Sequence, residues 1–255
     1  MASKHRGHRQ ALVVAASILA SALIASAATS AVPTPASQQP PGWTLHGKYS
    51  PMIDPGNFVR GIDNRYFPLK PGTGFHYRGF RGTAAQTDDM IVTHEVKHIL
   101  GVKCTVVRDT VSEGGKPIER TFDWYAQDKQ GNVWYMGEDA LELKNGRFVR
   151  APDSWEAGVA GAKPGIIMEG NPRPGDVYRQ EYYPPGGALD QARVLGRYGV
   201  VRAPVGTFKH ALVTVEWSPV EPQLEKKVYV AGLGEVTEEV IQGGHEGFRL
   251  TKVTH

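Results

Sequence analysis

From Gly72 to the C-terminus no stretch keeps a helical spacing of apolar residues over three turns, while short alternating runs recur between turn residues. A period of two sends successive side chains to opposite faces of a sheet, so such a chain is restricted to layered or closed β architectures. The alternation predicts strands near 74–80, 87–98, 102–112, 118–127, 132–137 and 140–150. A second set is predicted near 176–183, 189–202, 206–218, 224–231, 234–242 and 246–253. Between the sets, residues 151–173 break the pattern with Gly and Pro and read as a connection.

The densest β signal is DWYAQDKQGNVWYMGED, Asp123 to Asp139. Two aromatic segments flank Asp128-Lys129-Gln130-Gly131, which predicts a β-hairpin. Gly131 takes positive φ without steric cost, and Asp128 can accept from backbone amides across the turn. Trp124 and Tyr125 are neighbours and cannot face the same core. The hairpin is therefore either covered on both sides or lines an aromatic pocket. A hairpin of this kind also recurs in β-propeller blades, but it occurs once here and a propeller needs several.

The two strand sets run in parallel. Pro71-Gly72 opens the first and Pro174-Gly175 the second, each before an aromatic and basic strand, GFHYRGF and DVYRQEYY. Gly72 and Gly175, like Gly131 and Gly234, are 103 residues apart. Gly101 and Gly206 each precede a β-rich strand. The expected fold is mainly β, with antiparallel curved sheets built from two duplicated six-stranded halves, 71–150 and 174–253, sandwich or half-barrel-like. One meander has an apolar face that must be buried, and a second copy can bury it.

Residues 1–31 read as a secretory leader: Lys4, Arg6 and Arg9, an apolar run from Ala11 to Ala27, then small residues suited to cleavage after Ala27 or Ala31. Residues 32–53 are a Pro-rich linker by composition, and 54–255 the β domain. The expected location is secreted, extracellular or periplasmic, with no stable membrane span after cleavage. The chain has 29 Lys and Arg against 26 Asp and Glu, and the leader holds three of the bases and no acid. The remainder is balanced, which leaves no global basic field for nucleic acid. Cys104 stands alone in the alternating run VKCTVV, so an intramolecular disulfide is impossible and a small core residue is expected.

His94-Glu95-Val96-Lys97-His98 matches H-E-x-x-H, which on a helix places two His on one face for zinc. Here the flanks alternate at period two. On a strand the two His would be about 13 Å apart, too far to share one ion. No metal and no cofactor is expected. The acid pairs Asp88-Asp89, Glu138-Asp139 and Glu238-Glu239 read as solvated strand edges.

At IDNRYFPLKPGT, ERTFDWYAQDKQGNVWYMGE, SWEAGVAGAKPGI and YRQEYY, the chain resembles a family of bacterial secreted proteins of unknown function that carries a DWYAQDxxGNVWYxGE phrase. Arg65 stands where that family has Pro. The resemblance implies secretion and brings no activity. VYVAGLGEVTEE is also similar to the strand–Gly–strand endings of periplasmic, lipoprotein-carrier-like curved sheets.

The function expected is binding of an apolar or amphipathic small molecule, of lipid-like kind, in an aromatic-lined groove where the halves meet. Trp124, Trp134, Trp155, Glu156, Glu216 and Trp217 are the candidate ligand-binding residues. No catalytic residue is assigned. A carboxylate-dependent secreted hydrolase and a cell-envelope structural protein are the alternatives.

Overall fold

Alternation and turn glycines produce one antiparallel sheet in the computed structural model, which describes residues 43–255. The leader expected over 1–31 and the first part of the Pro-rich segment lie outside the described residues. The first meander is β1 (Gly74–Arg81), β2 (Ala84–Ile99), β3 (Val102–Glu113), β4 (Lys116–Gln127) and β5 (Val133–Lys144), with β6 (Arg147–Arg150) and β7 (Trp155–Glu156) attached to β5. β8 (Lys163–Met168), β9 (Val177–Arg179) and β10 (Glu181–Tyr182) lead into the second meander. That meander is β11 (Gln191–Ala203), β12 (Gly206–Trp217), β13 (Leu224–Val230), β14 (Gly234–Gln242) and β15 (Glu246–Thr254).

The strand order is β10-β8-β5-β4-β3-β2-β1-β15-β14-β13-β12-β11-β9. β1 pairs with β15, which joins the meanders at one seam. The two ends of this path are β10 and β9, and they are consecutive in the chain. β9 pairs with β11 while β10 pairs with β8, with Gln180 between them. One short run thus serves both edges, and the sheet is nearly closed and barrel-like. Closure needs close backbone approach at β8: a Cβ on Gly165 would lie 2.2 Å from the Gln180 carbonyl oxygen.

The expectation of separate strands at 132–137 and 140–150 is corrected. β5 runs unbroken past Gly137, and only β6 turns back. Gly137, at φ +135°, lies in a bulge of β5: Trp124 pairs with Gly137 and Tyr125 with Tyr135, which leaves Met136 as the extra residue. A residue of this freedom re-aims a strand without ending its pairing.

The N-terminal part of the described chain covers the outside and one end. Trp43 packs on Trp217 with centroids 6.1 Å apart, and Arg179 donates to the Leu45 carbonyl at 2.7 Å. Residues 43–53, which composition places in the linker, therefore contact β9 and β12. Ile62, Tyr66, Phe67 and Leu69 are buried at the barrel end. Asn64 holds this plug: its Oδ1 accepts from the amides of Tyr66 and Phe67, and its Nδ2 donates to the carbonyls of Gly131 and Glu169.

Candidate functional site

The aromatic hairpin is covered on both sides. Tyr125 and Tyr135 face inward and stack at 4.9 Å, with Trp155 edge-on to Tyr135 at 5.4 Å. Trp124 and Trp134 face outward. Lys97 places its ammonium 3.3 Å from the centre of the Trp124 ring and pairs with Glu156 at 2.7 Å. Trp134 meets Phe58 edge-on, and its indole N–H donates to Asp128 Oδ2 at 2.9 Å. Asp128 also accepts from the amides of Gln130 and Asn132 and from the Asn132 side chain, each at 2.9 Å.

The six candidate residues fall into separate groups. Trp124 and Glu156 are bridged by Lys97 on the outer face. Trp155 packs inside on Tyr135, and Trp134 lies at the Asp128 turn. Glu216 and Trp217 belong to β12 on the other meander. Glu216 lies inside, within 2.9 Å of Gln180 Nε2 and 3.1 Å of the Tyr229 hydroxyl, while Trp217 packs beneath Trp43.

The H-E-x-x-H segment lies on β2, as its alternation predicts, with His94 and His98 exposed. Its Lys97 caps the Trp124 ring. Cys104 is fully buried, and burial pushes its thiol up to about 12.

The acid pairs are a correction. Asp88, Glu138 and Glu238 are buried, and only their partners reach solvent. The cause is the register: adjacent strand residues point to opposite faces, so one acid of each pair must turn inward. Asp109, Asp123, Glu181, Asp190, Glu216, Glu225 and Glu235 join them inside. Lys227 lies among them as a fully buried cation, with its Nζ 3.5 Å from Glu216 and 3.3 Å from Glu238.

Buried carboxylates without matching cations favour the neutral form. Desolvation raises Asp88 to about 8, and it shares a hydrogen bond with Asp109, whose carboxyl is held well above the usual range by burial and by the Asp88 charge. Burial raises Asp123 to about 7 while the Tyr135 hydroxyl, donating at 2.6 Å, opposes the rise. Glu138, on the other side of that hydroxyl at 2.9 Å, is raised by burial and by Glu181. Asp123, Glu138 and Glu181 thus converge on one tyrosine and the Trp155 indole. All three are at most 5% exposed, so the cluster has no open face.

An open concavity lies elsewhere. Leu212 of β12 pairs with Tyr229, and residues 206–211 have no partner in β13. The distal part of the β11–β12 hairpin therefore overhangs the sheet as an arm. It bends back across the outer face, where the Arg249 guanidinium donates to the Arg202 carbonyl at 3.4 Å. Between arm and sheet is a cleft of about 490 Å³. Tyr198, Val200 and Val201 form its roof, and Val213, Val228 and Thr237 its floor, with Arg78, Arg202 and Arg249 at one side. The floor spans β12 to β1 and so crosses the β1–β15 seam between the meanders. None of the six candidate residues lines it.

Sequence reasoning missed this cleft. Its roof was legible only as a Val-rich strand, and its arginines, Arg78, Arg202 and Arg249, sit in three segments of which the nearest two are 47 residues apart.

No family model matches the chain, and no curated protein sequence matches it. Two solved structures are similar to it. One is a candidate exported protein with a YmcC-like fold from Bacteroides fragilis, 13% identical over 75% of this chain and 100% of that chain, with a TM-score of 0.45. The other is a candidate lipoprotein from Parabacteroides distasonis, 11% identical over 75% of this chain and 99% of that chain, with a TM-score of 0.39.

Proposed function

We propose that this is an exported β protein that binds an apolar or amphipathic small molecule in the cleft beneath the β11–β12 arm. The observation that carries the proposal is the cleft itself: about 490 Å³, with apolar residues of β11, β12 and β13 in its wall beside a few charged ones. Small-molecule sites are typically hollows of about 300–1,000 Å³ with apolar walls and a few polar groups. Tyr198 is 57% and Val200 52% exposed, so large apolar surface is left open in the roof. A ligand that covers it gains about 25 cal/mol for each Å² of apolar area removed from water. The leader expected over residues 1–31 supports export, and the matching strand order of the two meanders supports descent from a duplication.

The test is titration of the purified protein with N-phenyl-1-naphthylamine, a neutral apolar fluorophore, beside native mass spectrometry of protein from a secreting host. The expected result is saturable binding at one site, lost in the double variant Tyr198→Asp/Val200→Asp, whose exposed positions leave the fold intact. No saturable binding, or equal binding by the variant, overturns the proposal.

The convergence of Asp123, Glu138 and Glu181 is what a carboxylate hydrolase would need. Their enclosure gives substrate no route to them, and the cleft is the better supported site.

A further inference from the structure

The outer face of the seam carries a charge arrangement that the fold alone does not need. Arg78 of β1 and Arg249 of β15 are direct cross-strand partners and both are exposed. Like charges directly opposite one another destabilise a strand pair, and a guanidinium cannot shed its proton to relieve the repulsion. A third arginine, Arg202, is delivered to the same side of the cleft by the arm. The neighbouring acids are committed elsewhere: Glu239 pairs with Lys226 at 3.0 Å, and the Glu238 side chain turns inside to Lys227. Among the described residues no carboxylate pairs with Arg78, Arg202 or Arg249.

The same row of the sheet changes character along its length. Arg249 is opposite Thr237, Thr237 opposite Val228, and Val228 opposite Val213. Three strand spacings, about 14 Å, separate the arginine end from the valine end. The cleft is thus cationic at one end and apolar at the other, with a threonine hydroxyl between. An anion at the cationic end would relieve the Arg78–Arg249 repulsion and accept the planar donor forks that suit carboxylate and phosphate.

We infer that the ligand of this cleft is a single-chain amphiphile with an anionic head, a carboxylate or a phosphate monoester, whose head is held by Arg78, Arg202 and Arg249 and whose chain lies along Val228 and Val213. The inference rests on the binding function proposed above for the same cleft and specifies its ligand class.

Isothermal titration of decanoate, decyl phosphate and decanol into the wild-type protein, Arg249→Gln and the Tyr198→Asp/Val200→Asp variant tests it. The two anions are expected to bind more tightly than decanol. Arg249→Gln should weaken them by roughly tenfold or more, the size of one lost charged hydrogen-bonded contact, and leave decanol unchanged. The position is exposed, and urea denaturation of the variant checks that its fold is intact. Decanol binding as tightly as the anions, or anion binding unchanged in Arg249→Gln, overturns the head-group assignment while leaving an apolar site. Absence of binding by all three overturns the cleft as a ligand site altogether. Capture of the protein by anionic phospholipid vesicles, without competition from decanoate, would assign the arginines to a membrane surface and also overturn the inference.

Discussion

At the scale of single residues, Asp128 shows how one side chain fixes a turn. It is 4% exposed and accepts from two amides, one amide side chain and an indole. Asp128→Ala would leave these donors to compete for water in a crowded turn, at a cost of about 2–3 kcal/mol. Urea denaturation should show that loss, and the Trp134 emission should shift to the red as its N–H partner goes. This residue was legible in the sequence because the turn is local: Asp and Gly at fixed offsets between aromatic runs. The opposite faces of Trp124 and Tyr125 were legible for the same reason. Which face was inner was not. Lys97 illustrates the difficulty, since its partners Trp124 and Glu156 come from β4 and β7. The buried members of the acid pairs were missed because charged residues are almost never fully buried unless paired. Here the strand register turned one of each pair inward.

At the scale of elements, the strand pattern was legible over most of both meanders, because alternation is a local property of each run. Besides β7 and β8, which lie in the stretch read as a connection, two features were not. Residues 132–150 read as two strands, whereas β5 continues through a bulge at Gly137. A glycine at a bulge and a glycine at a turn look alike until the partner strand is known. The structure makes Gly137 specific: a Cβ there would lie 2.4 Å from the Trp155 carbonyl oxygen and 2.9 Å from the Glu156 Cα, at a positive φ. Gly137→Ala should therefore destabilise by about 2 kcal/mol or more through strain and displacement of β7. Thermal denaturation measures the loss. Freed Trp155 should also lose its near-ultraviolet dichroism against Tyr135. The other unread feature is the arm of β11 and β12, which is an ordinary hairpin in sequence. Its overhang arises from the shorter reach of β13, and the cleft follows from that mismatch in length.

At the scale of the whole molecule, the barrel interior is acidic, and this makes stability depend on pH in an uncommon direction. The acids that are raised include Asp88, Asp109, Asp123, Glu138, Glu181, Asp190, Glu225, Glu235 and Glu238, each chiefly by desolvation. In the unfolded chain such groups titrate near about 4. Between that value and the folded values, about 7 for Asp123 and about 8 for Asp88, the folded state holds more protons than the unfolded state. Stability then falls as pH rises, because its slope follows protons bound in the unfolded state minus those bound in the folded state. Lys227 is raised and stays charged through this window, so it does not reverse the sign. Its attraction for Glu216 and Glu238 holds part of the interior together once the acids begin to ionise. The thermal midpoint is expected to be highest near about pH 4–5 and to fall by roughly 5 °C or more by about pH 8. Asp88→Asn should flatten that profile, since an amide keeps the shape and one hydrogen bond but has no proton to lose. Lys227→Met should steepen it, with the larger loss at the alkaline end where the unshielded carboxylates repel. A wild-type midpoint that rises from about pH 4 to about pH 8 would mean that the interior acids are ionised and solvated, and that the barrel opens to water far more than its nearly closed sheet implies.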